Sequence, residues 1–388
     1  MISTTTDRLS RDWAINDQVI QLRLWATDVV YPLPADERRR LAVGAAPTCE
    51  IQVHDPSSFT SREHAYLERV DERWMIVDRS KNGLYLDDQQ CKRFLLAPGS
   101  EIGLGRCVTL IAESARTIAL RRALARMLGW SAARAGSIDE AMRMLRLAAS
   151  GRAILVLCGE PSMVPLAEEL HRLTLTERRP FVLCDPRRRT HEDAESFTRR
   201  VPDGLTAVAQ ALDGTVCIDD QRRPGDLARM LEALHRPGRT AQLVVLARNA
   251  RRADVYTPAP VVIPPLRSRR DELERLILEY EAEAARRLGI STVELTPAQR
   301  SWIRERSGET LPDLQKATLR LIAIRHAGSI LGAASLLKMS HVGLGKWFER
   351  RRYRPEIIEA PLRCPGGDRF FSGAALMARR RPRTARRA

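Results

Sequence analysis

The chain has 388 residues, 44% hydrophobic and 29% charged, a composition typical of a folded protein with two or three domains. No apolar run approaches the roughly 18–20 residues that span a bilayer, and the N-terminus lacks an apolar signal core, so no membrane partner is expected. The seven cysteines form no CxxC pair or Cys/His cluster. This pattern argues against zinc and disulfides, and for reduced thiols in a cytoplasmic protein.

Positive charge is concentrated at one end of the chain. The net charge is +16, and residues 327–388 hold 14 Lys and Arg against 4 acidic residues. Such an asymmetry favours a polyanionic partner, most simply double-stranded DNA. The alternative left open is an arginine-rich coding bias without a binding role.

Residues 18–113 are predicted to form short strands separated by turns. Strands are predicted at Val19–Trp25, Glu50–Val53 and Arg73–Asp78. The turn signals are Pro56-Ser57-Ser58, Lys81-Asn82-Gly83 and Pro98-Gly99-Ser100. Closely spaced strands without intervening helices predict an all-β sandwich.

Five segments of this region resemble the forkhead-associated (FHA) domain. In order they are LAVG at 41–44, CEI at 49–51, SREHA at 61–65, W at 74 with DRSKNG at 78–83, and LAPGSEIGLG at 96–105. FHA domains bind phosphothreonine peptides, so the resemblance implies a phosphothreonine-containing protein partner. It also implies that Ser61 donates to the phosphate, that His64 braces the Ser61 loop, and that Asn82 holds the peptide backbone.

One position departs from the family pattern. Where the family has Gly-Arg, this chain has Gly44-Ala45. In the family, that arginine supplies a charge-assisted hydrogen bond to the phosphate, worth about 1.5–3 kcal/mol. Its absence here is expected to weaken phosphate binding by roughly ten- to a hundredfold. Arg62, Lys81 or the arginine run at 38–40 are the candidate substitutes. The alternative is a sandwich that binds an unphosphorylated partner.

Residues 116–325 are predicted to alternate between helices and buried strands. The predicted strands are Ile154–Cys158, Pro180–Cys184, Thr215–Ile218 and Gln242–Leu246. This alternation predicts a parallel α/β sheet. A proline-rich segment then leads into a long charged helix predicted over Leu266–Gly289.

The same order resembles the AAA+ domain of bacterial enhancer-binding proteins, which activate sigma-54 polymerase. The resemblance places a degenerate α/β domain at 116–265 and a helical lid at 266–325. Counted from Gly159, the phosphate-loop glycine, lysine and hydroxyl positions read Val164, Pro165 and Leu166. Proline offers no N–H to a phosphate.

Other parts of the family's machinery are also missing. Asp219-Asp220 stands where the family has Asp-Glu, Pro312 aligns with the sensor arginine, and no sigma-54-contacting loop is recognisable. Phosphoryl transfer needs positioning and charge neutralisation, which these losses remove. We therefore expect no nucleotide site, no cofactor, no enzymatic activity and no remodelling of sigma-54 polymerase. An Asp219-Asp220 metal pair is also not expected, because no third ligand is identifiable.

Residues 326–352 are predicted to form two short helices joined by a tight turn. The pattern Ala333-Ala334-x-Leu336-Leu337-x-Met339-Ser340-x-x-x-Leu344 resembles the Fis-type helix-turn-helix, with Lys338 at the usual turn glycine. Ser340 is a favourable N-cap for the second helix. The alternative is that this pair only extends the helical lid.

In a major groove, residues near the start of the second helix read base edges, and flanking groups contact phosphates. The base-reading candidates are His341, Val342 and Gly345, with Lys346 nearby, and the phosphate-contacting candidates are Ser340 and Arg350–Arg352. Residues 353–388 form a basic tail that is expected to be disordered.

These parts predict a multidomain protein: an all-β FHA sandwich, an α/β AAA+-like domain with a helical lid, and a small all-α helix-turn-helix. The leading hypothesis is a bacterial DNA-binding transcriptional regulator with an FHA sensor and an inactive scaffold. A homodimer through the scaffold is an option that the sequence leaves open. The alternative is a phosphothreonine-dependent adaptor in a kinase or secretion pathway.

Overall fold

The computed structural model describes residues 17–35, 40–150, 153–159, 163–176, 178–187, 198–236, 241–257, 259–291 and 294–353. The predicted tail beyond Tyr353 and the arginines at 38 and 39 therefore lie outside the described residues. The chain divides into two compact units, with the division between Glu272 and Leu273. None of the described helices is both long enough and apolar enough to cross a membrane. The six described cysteines are all free thiols.

The first unit begins with two sheets that pack face to face. One sheet has the order β2-β1-β11-β10-β7-β8 and the other the order β4-β3-β5-β6-β9. All their pairings are antiparallel except that of β3 with β4. The strands are β1 Gln21–Leu24, β2 Val30–Pro32, β3 Leu41–Gly44, β4 Ile51–Gln52, β5 Ala65–Val70, β6 Arg73–Asp78, β7 Leu84–Leu86, β8 Gln89–Cys91, β9 Arg93–Leu95, β10 Glu101–Leu104 and β11 Val108–Glu113. The predicted sandwich is thereby confirmed.

Tight hairpins set the register of these strands. β5 turns into β6 through Asp71-Glu72, and β7 turns into β8 through Asp87-Asp88, with φ between 46° and 67° at all four residues. Two consecutive left-handed residues match the right-handed twist of the paired strands. Alternate strand residues, among them Leu67 and Ile76, then point into one apolar core between the sheets.

The first sheet is buried on both faces at β1. The consecutive residues Leu22 and Arg23 point to opposite faces, and they are 0% and 2% exposed. Arg23 is buried because a helix (α2, Ala135–Ala149) covers the outer face. Its guanidinium donates to Glu113 at 2.7 Å and to Asp139 of α2 at 2.5 and 3.0 Å.

Two further arginines of α2 hold the same face of the sandwich. Arg143 bonds the Glu101 carboxylate, with Nε to Oε1 at 2.9 Å. Arg146 donates to the Asp87 carboxylate and to the Gly99 carbonyl, both at 2.7 Å. The sandwich and α2 are thus joined through several charged contacts inside the first unit.

The rest of the first unit is an α/β domain built on a wholly parallel sheet, as predicted. Its strand order is β14-β13-β15-β16-β12-β17. The four predicted strands are present, and two short ones, β14 and β17, were not predicted. The elements are α1 Ala115–Leu128, α2, β12 Leu155–Cys158, α3 Val164–Thr174, β13 Phe181–Cys184, β14 Thr198–Val201, α4 Gly204–Ala211, β15 Thr215–Asp219, α5 Leu227–Leu234, β16 Gln242–Ala247, α6 Ala250–Ala253 and β17 Val261–Val262.

The second unit is helical within its described residues. The helices are α7 Leu273–Leu288, α8 Pro297–Ser307, α9 Leu311–Ala327, α10 Ile330–Leu336 and α11 His341–Arg350. The long helix predicted from Leu266 begins only at Leu273, because residues 266–272 form two separate 3-10 turns with a non-helical Arg269 between them. Helix α9 runs through residue 325, where the lid and the helix-turn-helix were predicted to meet, and ends at Gly328.

Candidate functional site

His64 is the structural centre of the loops at one end of the sandwich. Its side chain is fully buried. The ring Nδ1 accepts the Ser61 N–H at 3.0 Å, and the ring Nε2 lies 3.0 Å from the Gly83 carbonyl oxygen. Because Nδ1 is an acceptor, the proton sits on Nε2 and donates to Gly83. One neutral ring therefore ties the Ser61 loop to the Asn82-Gly83 loop.

The electrostatics of this position favour the neutral ring. Burial lowers the pKa of His64 below its ordinary value of 6.5, against opposing contributions from the Gly83 carbonyl and from Asp78 and Asp55. Protonation would also place a proton on Nδ1 and break the bond from Ser61. The predicted bracing role of His64 therefore has a defined geometry.

The loop before Ser61 is held by Asp55. One carboxylate oxygen accepts the N–H of Ser57 at 2.9 Å, and the other accepts the N–H of Thr60 at 2.7 Å. Although burial acts to raise it, hydrogen bonds from Ser57 and Thr60 lower the pKa of Asp55 to about 2. An ionised Asp55 thus fixes the approach to Ser61 at neutral pH.

The structure brings the predicted phosphate-binding groups together around Ser61. The Ser61 hydroxyl accepts the Lys81 N–H at 3.3 Å, and the Ser61 carbonyl accepts the Ala45 N–H at 3.1 Å. The side chains of Arg62 and Lys81 are exposed and form no ion pair with a described carboxylate. A side chain at Gly44 would place its Cβ 2.3 Å from the Arg62 carbonyl oxygen, which explains the glycine there.

The position of the missing arginine adjoins this cluster, because Ala45 bonds directly to Ser61. Of the predicted substitutes, Arg62 and Lys81 are placed beside Ser61 and remain available. Arg40 is engaged elsewhere: it stacks over the Tyr66 ring at 4.3 Å and pairs with Glu68 at 2.9 Å.

Asn82 is exposed at the rim of the same loops. Its amide nitrogen donates to the Phe59 carbonyl at 2.7 Å, which holds the side chain in place. Phe59 itself is 52% exposed, an unusual position for an aromatic ring. Sequence reasoning did not single out Phe59, because no local pattern links it to Asn82, 23 residues away.

In the α/β domain, the described ends of the loop predicted to be a degenerate nucleotide loop lie at the carboxyl edge of the parallel sheet. Gly159 follows β12, residues 160–162 lie outside the described chain, and Val164 begins α3 with Pro165 in its first turn. Leu166 is 1% exposed and packs into the core. A side chain at Gly159 would lie 2.6 Å from the Ile263 carbonyl oxygen, so this glycine is required by packing.

Asp219 ends β15, which β16 separates from β12, and Asp220 begins the following 3-10 turn. Both carboxylates are engaged locally. Asp219 caps the following turn by accepting the Gln221 N–H at 3.0 Å. Asp220 is buried and receives hydrogen bonds from Arg223, Arg252 and Tyr256 at 2.5–2.9 Å. The described residues contain no cluster of three acidic, His or Cys side chains suited to a metal.

The two C-terminal helices are joined as the sequence predicted. Helix α10 ends at Leu336, Lys338 adopts the left-handed conformation with φ of 50°, and Ser340 caps α11 by accepting the Gly343 N–H. The turn that a glycine would make easily is therefore made by a lysine, at a steric cost of roughly 1–2 kcal/mol.

Helix α11 has one buried and one exposed face. Leu344, Trp347 and Phe348 are buried, with Trp347 and Phe348 packed against Trp302 of α8. The predicted DNA-contacting residues with exposed side chains are Ser340, His341, Val342, Lys346 and Arg350, and Gly345 is half-buried.

Arg351, also predicted to contact phosphate, is already engaged within the unit. Its guanidinium lies over the Trp347 ring at 4.4 Å and 3.5 Å from an Asp313 carboxylate oxygen. Arg320 of α9 lies at the same distance from Trp347. Neither stacking contact was predicted, because each depends on how α9 and α11 pack.

Comparison with known proteins identifies the sandwich. Residues 41–105 match the family model of the FHA domain. Similar solved structures include the N-terminal FHA domain of Rad53p from S. cerevisiae in complex with a phosphothreonine peptide, at 22% identity and a TM-score of 0.22, covering 25% of this chain and 94% of that one. The FHA domain of CT664 from Chlamydia trachomatis is 23% identical with a TM-score of 0.22, covering 24% of this chain and 95% of that one.

A third similar structure is the Slr1951 protein from Synechocystis sp., at 25% identity and a TM-score of 0.21, covering 24% of this chain and 92% of that one. No curated protein matches the chain. The family match confirms the predicted FHA domain at residues 41–105.

Proposed function

We propose that the protein is a DNA-binding regulator that recognises a phosphothreonine-containing partner through its FHA domain. The observation that carries the proposal is the Ser61–His64–Gly83 arrangement, which presents the Ser61 hydroxyl beside two exposed cations. The helix pair α10–α11 supplies the DNA-binding part. The α/β domain serves as a scaffold between them in the chain.

The FHA loops suit a phosphorylated side chain. A phosphate monoester carries about −1.5 to −2 charges at pH 7 and three strong acceptor oxygens. Ser61 donates its hydroxyl proton to one oxygen, and the Arg62 and Lys81 side chains neutralise charge. Asn82, held by Phe59, keeps its amide oxygen available as an acceptor for a peptide N–H.

The exposed face of α11 suits a major groove. Ser340 orients the first turn, His341 and Val342 stand at the helix start where base edges are read, and Lys346 and Arg350 follow one helical turn apart. The left-handed Lys338 keeps the turn short, so α10 supports α11 at a fixed angle.

The carboxyl edge of the α/β sheet supports a scaffold role. The residue at the lysine position is Pro165, and the Leu166 side chain is buried in the core. Asp220, the second acid of the aligned pair, is neutralised by Arg223 and Arg252 and is not free to bind a metal ion or orient water.

A second candidate is a phosphothreonine-dependent adaptor without DNA binding. It is favoured by the packing of Trp347 and Phe348 on Trp302, since the same contacts suit a helix pair that merely extends the helical unit. The two candidates differ in what α11 contacts.

Two binding measurements on the full chain test the proposal. Calorimetry against a degenerate phosphothreonine peptide pool and its unphosphorylated counterpart is expected to give binding only to the phosphorylated pool, with a loss of at least tenfold for Ser61→Ala. Ser58→Ala, a loop serine away from the His64 ring, is the control. Equal binding of both pools would contradict phosphothreonine recognition.

For DNA, electrophoretic mobility shifts over a salt series are expected to show sequence preference and a steep salt dependence. Lys346→Ala/Arg350→Ala should reduce the slope of log affinity against log salt by about 0.9 for Arg350 alone and by about 1.8 with Lys346 also near a phosphate, since each phosphate contact contributes roughly 0.9. Arg306→Ala/Lys316→Ala removes the same charge from exposed positions outside α11. Equal slopes for the two double variants would favour the adaptor.

A further inference from the structure

The outer face of the first sheet is only partly covered. Helix α2 packs over Arg23 and Ile111, and the remainder forms an open groove of about 370 Å³. Its floor is β10 and its neighbours, where Gly103 pairs with Tyr85 on one side and with Thr109 on the other. We call this surface, lined by Tyr85, Asp88, Glu101, Gly103, Arg106 and Arg143, the β10 groove.

The β10 groove begins at the loops that carry Ser61 and Asn82, which we call the phosphopeptide loops. Gly105, which lines it, donates its N–H to the Gly83 carbonyl at 3.0 Å. A side chain built at Gly105 would place its Cβ 3.7 Å from the Cβ of Asn82 and 3.5 Å from the Phe59 carbonyl oxygen. A peptide that crosses Asn82 therefore has a continuous path onto β10.

The floor of the groove carries no side chain at Gly103. At Gly103 a Cβ would lie 3.1 Å from the Tyr85 Cβ and 3.2 Å from the Gly105 carbonyl oxygen. From Gly105 back to Glu101 the strand spans roughly 13 Å, at about 3.3 Å per residue, the length of some four extended peptide residues. The volume falls in the range of pockets that bind ligands specifically, about 300–1,000 Å³.

One wall of the groove comes from outside the FHA domain. Arg143 belongs to α2, and its guanidinium stacks over Trp25 at 4.8 Å while bonding Glu101. Glu140, one turn earlier on α2, lies 3.4 Å from the same guanidinium. The groove is therefore a composite of the sandwich and the helix that the following domain packs on it.

The two ends of the groove differ in charge. At the phosphopeptide end stand the exposed side chains of Arg62, Lys81 and Arg106. At the far end Asp88, Glu101 and Glu140 surround a single cation, Arg143.

The same excess of carboxylates raises the pKa of Arg143. The Glu101 carboxylate raises it most, burial opposes the rise, and Glu140 and Asp88 add to it. The neighbouring Asp87 is already neutralised by Arg146. Three carboxylates against one guanidinium leave the far end acidic, with Asp88 exposed and its carboxylate without a described ion pair.

We infer that the β10 groove binds the flank of the phosphothreonine partner, and that this flank carries basic residues about three or four positions from the phosphothreonine. This inference rests on the proposed FHA function and specifies its partner. The phosphate is held at the cationic end, and the basic flank lies against Asp88 and the acidic wall near α2. Recognition then depends on a surface that residues 41–105 alone do not complete.

The test uses the full chain and fluorescein-labelled 13-residue peptides with a central phosphothreonine in a Ser/Gly/Ala background. Two residues, at the third and fourth positions from the phosphothreonine, are both Lys, both Ser or both Glu, on either the N- or the C-terminal flank. Fluorescence anisotropy at low salt is expected to rank Lys above Ser above Glu on one flank, by about two- to fivefold per step, as for exposed ion pairs.

A matched pair of protein variants locates the effect. Asp88→Asn removes the exposed charge and preserves the left-handed turn, because asparagine tolerates φ of +67° as aspartate does. Asp71→Asn makes the same change at the β5–β6 turn, where φ is +47°. We expect Asp88→Asn to reduce the preference for Lys by about twofold or more, and Asp71→Asn to leave it unchanged.

The outcomes separate the two proposals. If phosphorylated and unphosphorylated peptides bind equally, the FHA function itself fails. If binding requires the phosphate but Lys, Ser and Glu flanks bind alike on both sides, or the preference survives Asp88→Asn, the β10 groove is not the flank-binding site. The peptide series needs no protein variant, so a variant that misfolds does not remove the test.

Discussion

Replacing His64 with alanine tests the central bracing contact of the FHA loops. The change removes two buried hydrogen bonds, one from Ser61 and one to Gly83, each worth about 1 ± 0.5 kcal/mol. It also removes a fully buried ring and leaves space in the core. Together these losses are expected to destabilise the sandwich by about 2–4 kcal/mol, since buried partners left unsatisfied add to the cost.

His64→Ala is also expected to weaken peptide binding. Without the ring, the Ser61 and Asn82 loops are no longer tied together, so phosphothreonine peptide affinity should fall at least tenfold. Urea unfolding, monitored by hydrogen-exchange mass spectrometry of peptides from β5 and β10, measures the stability of the sandwich separately from that of the other domains. The control is His54→Ala, an exposed histidine of the same sandwich, expected to change stability by less than about 0.5 kcal/mol. A loss below 1 kcal/mol for His64→Ala would refute the bracing role.

The same residue predicts a pH dependence. Its pKa is lowered in the folded state, so below pH 6.5 the unfolded chain binds a proton that the folded chain does not. Stability therefore falls as pH decreases below 6.5, by at most about 1.4 kcal/mol per pH unit for one proton. The buried His171, whose pKa is lowered to about 4 mainly by burial, adds a similar slope in the α/β domain. The sandwich slope should be smaller in His64→Ala, and an unchanged slope would contradict a neutral His64.

Three further changes test other contacts. Arg23→Met should cost about 3–5 kcal/mol in urea unfolding, because it removes the buried guanidinium that neutralises Glu113 and Asp139, leaving Gln21 on Glu113 and the Ala26 N–H with the more distant Arg121 on Asp139; a cost below 1 kcal/mol would contradict the buried ion-pair assignment. Lys338→Gly should stabilise the helical unit by roughly 1 kcal/mol in thermal unfolding, since glycine adopts the left-handed turn without strain; destabilisation would contradict that turn. Ala45→Arg should tighten phosphothreonine peptide binding by roughly ten- to a hundredfold in calorimetry, as a charge-assisted hydrogen bond would, and unchanged affinity would show that position 45 does not face the phosphate.

Much of the FHA domain could be predicted because its determinants are local. Turn residues such as Lys81-Asn82-Gly83 and the SREHA segment occur at fixed spacings, and each encodes a loop rather than a distant contact. The cap at Ser340 and the Leu344 position of the motif likewise allowed α11 to be predicted from residues close together in the sequence.

The features that the sequence did not predict depend on contacts between residues far apart in the chain. Arg23 lies in the strand predicted at Val19–Trp25, and only the packing of α2 over β1 buries it. Strand β14 reads TRRV, with too few apolar residues to signal a strand, yet it pairs with β13 at the edge of the sheet. The β10 groove follows from where α2 stops covering the sheet, and no sequence pattern around Gly103 reports that.

We propose that one chain joins phosphothreonine recognition to DNA binding. Its DNA-binding part is tested in cells by chromatin immunoprecipitation with sequencing, comparing wild type, Lys346→Ala/Arg350→Ala and the charge-matched Arg306→Ala/Lys316→Ala at equal protein levels. We expect discrete enriched sites for wild type and the charge-matched control, and their loss in Lys346→Ala/Arg350→Ala. No enriched sites for wild type, or the same sites in all three proteins, would contradict it.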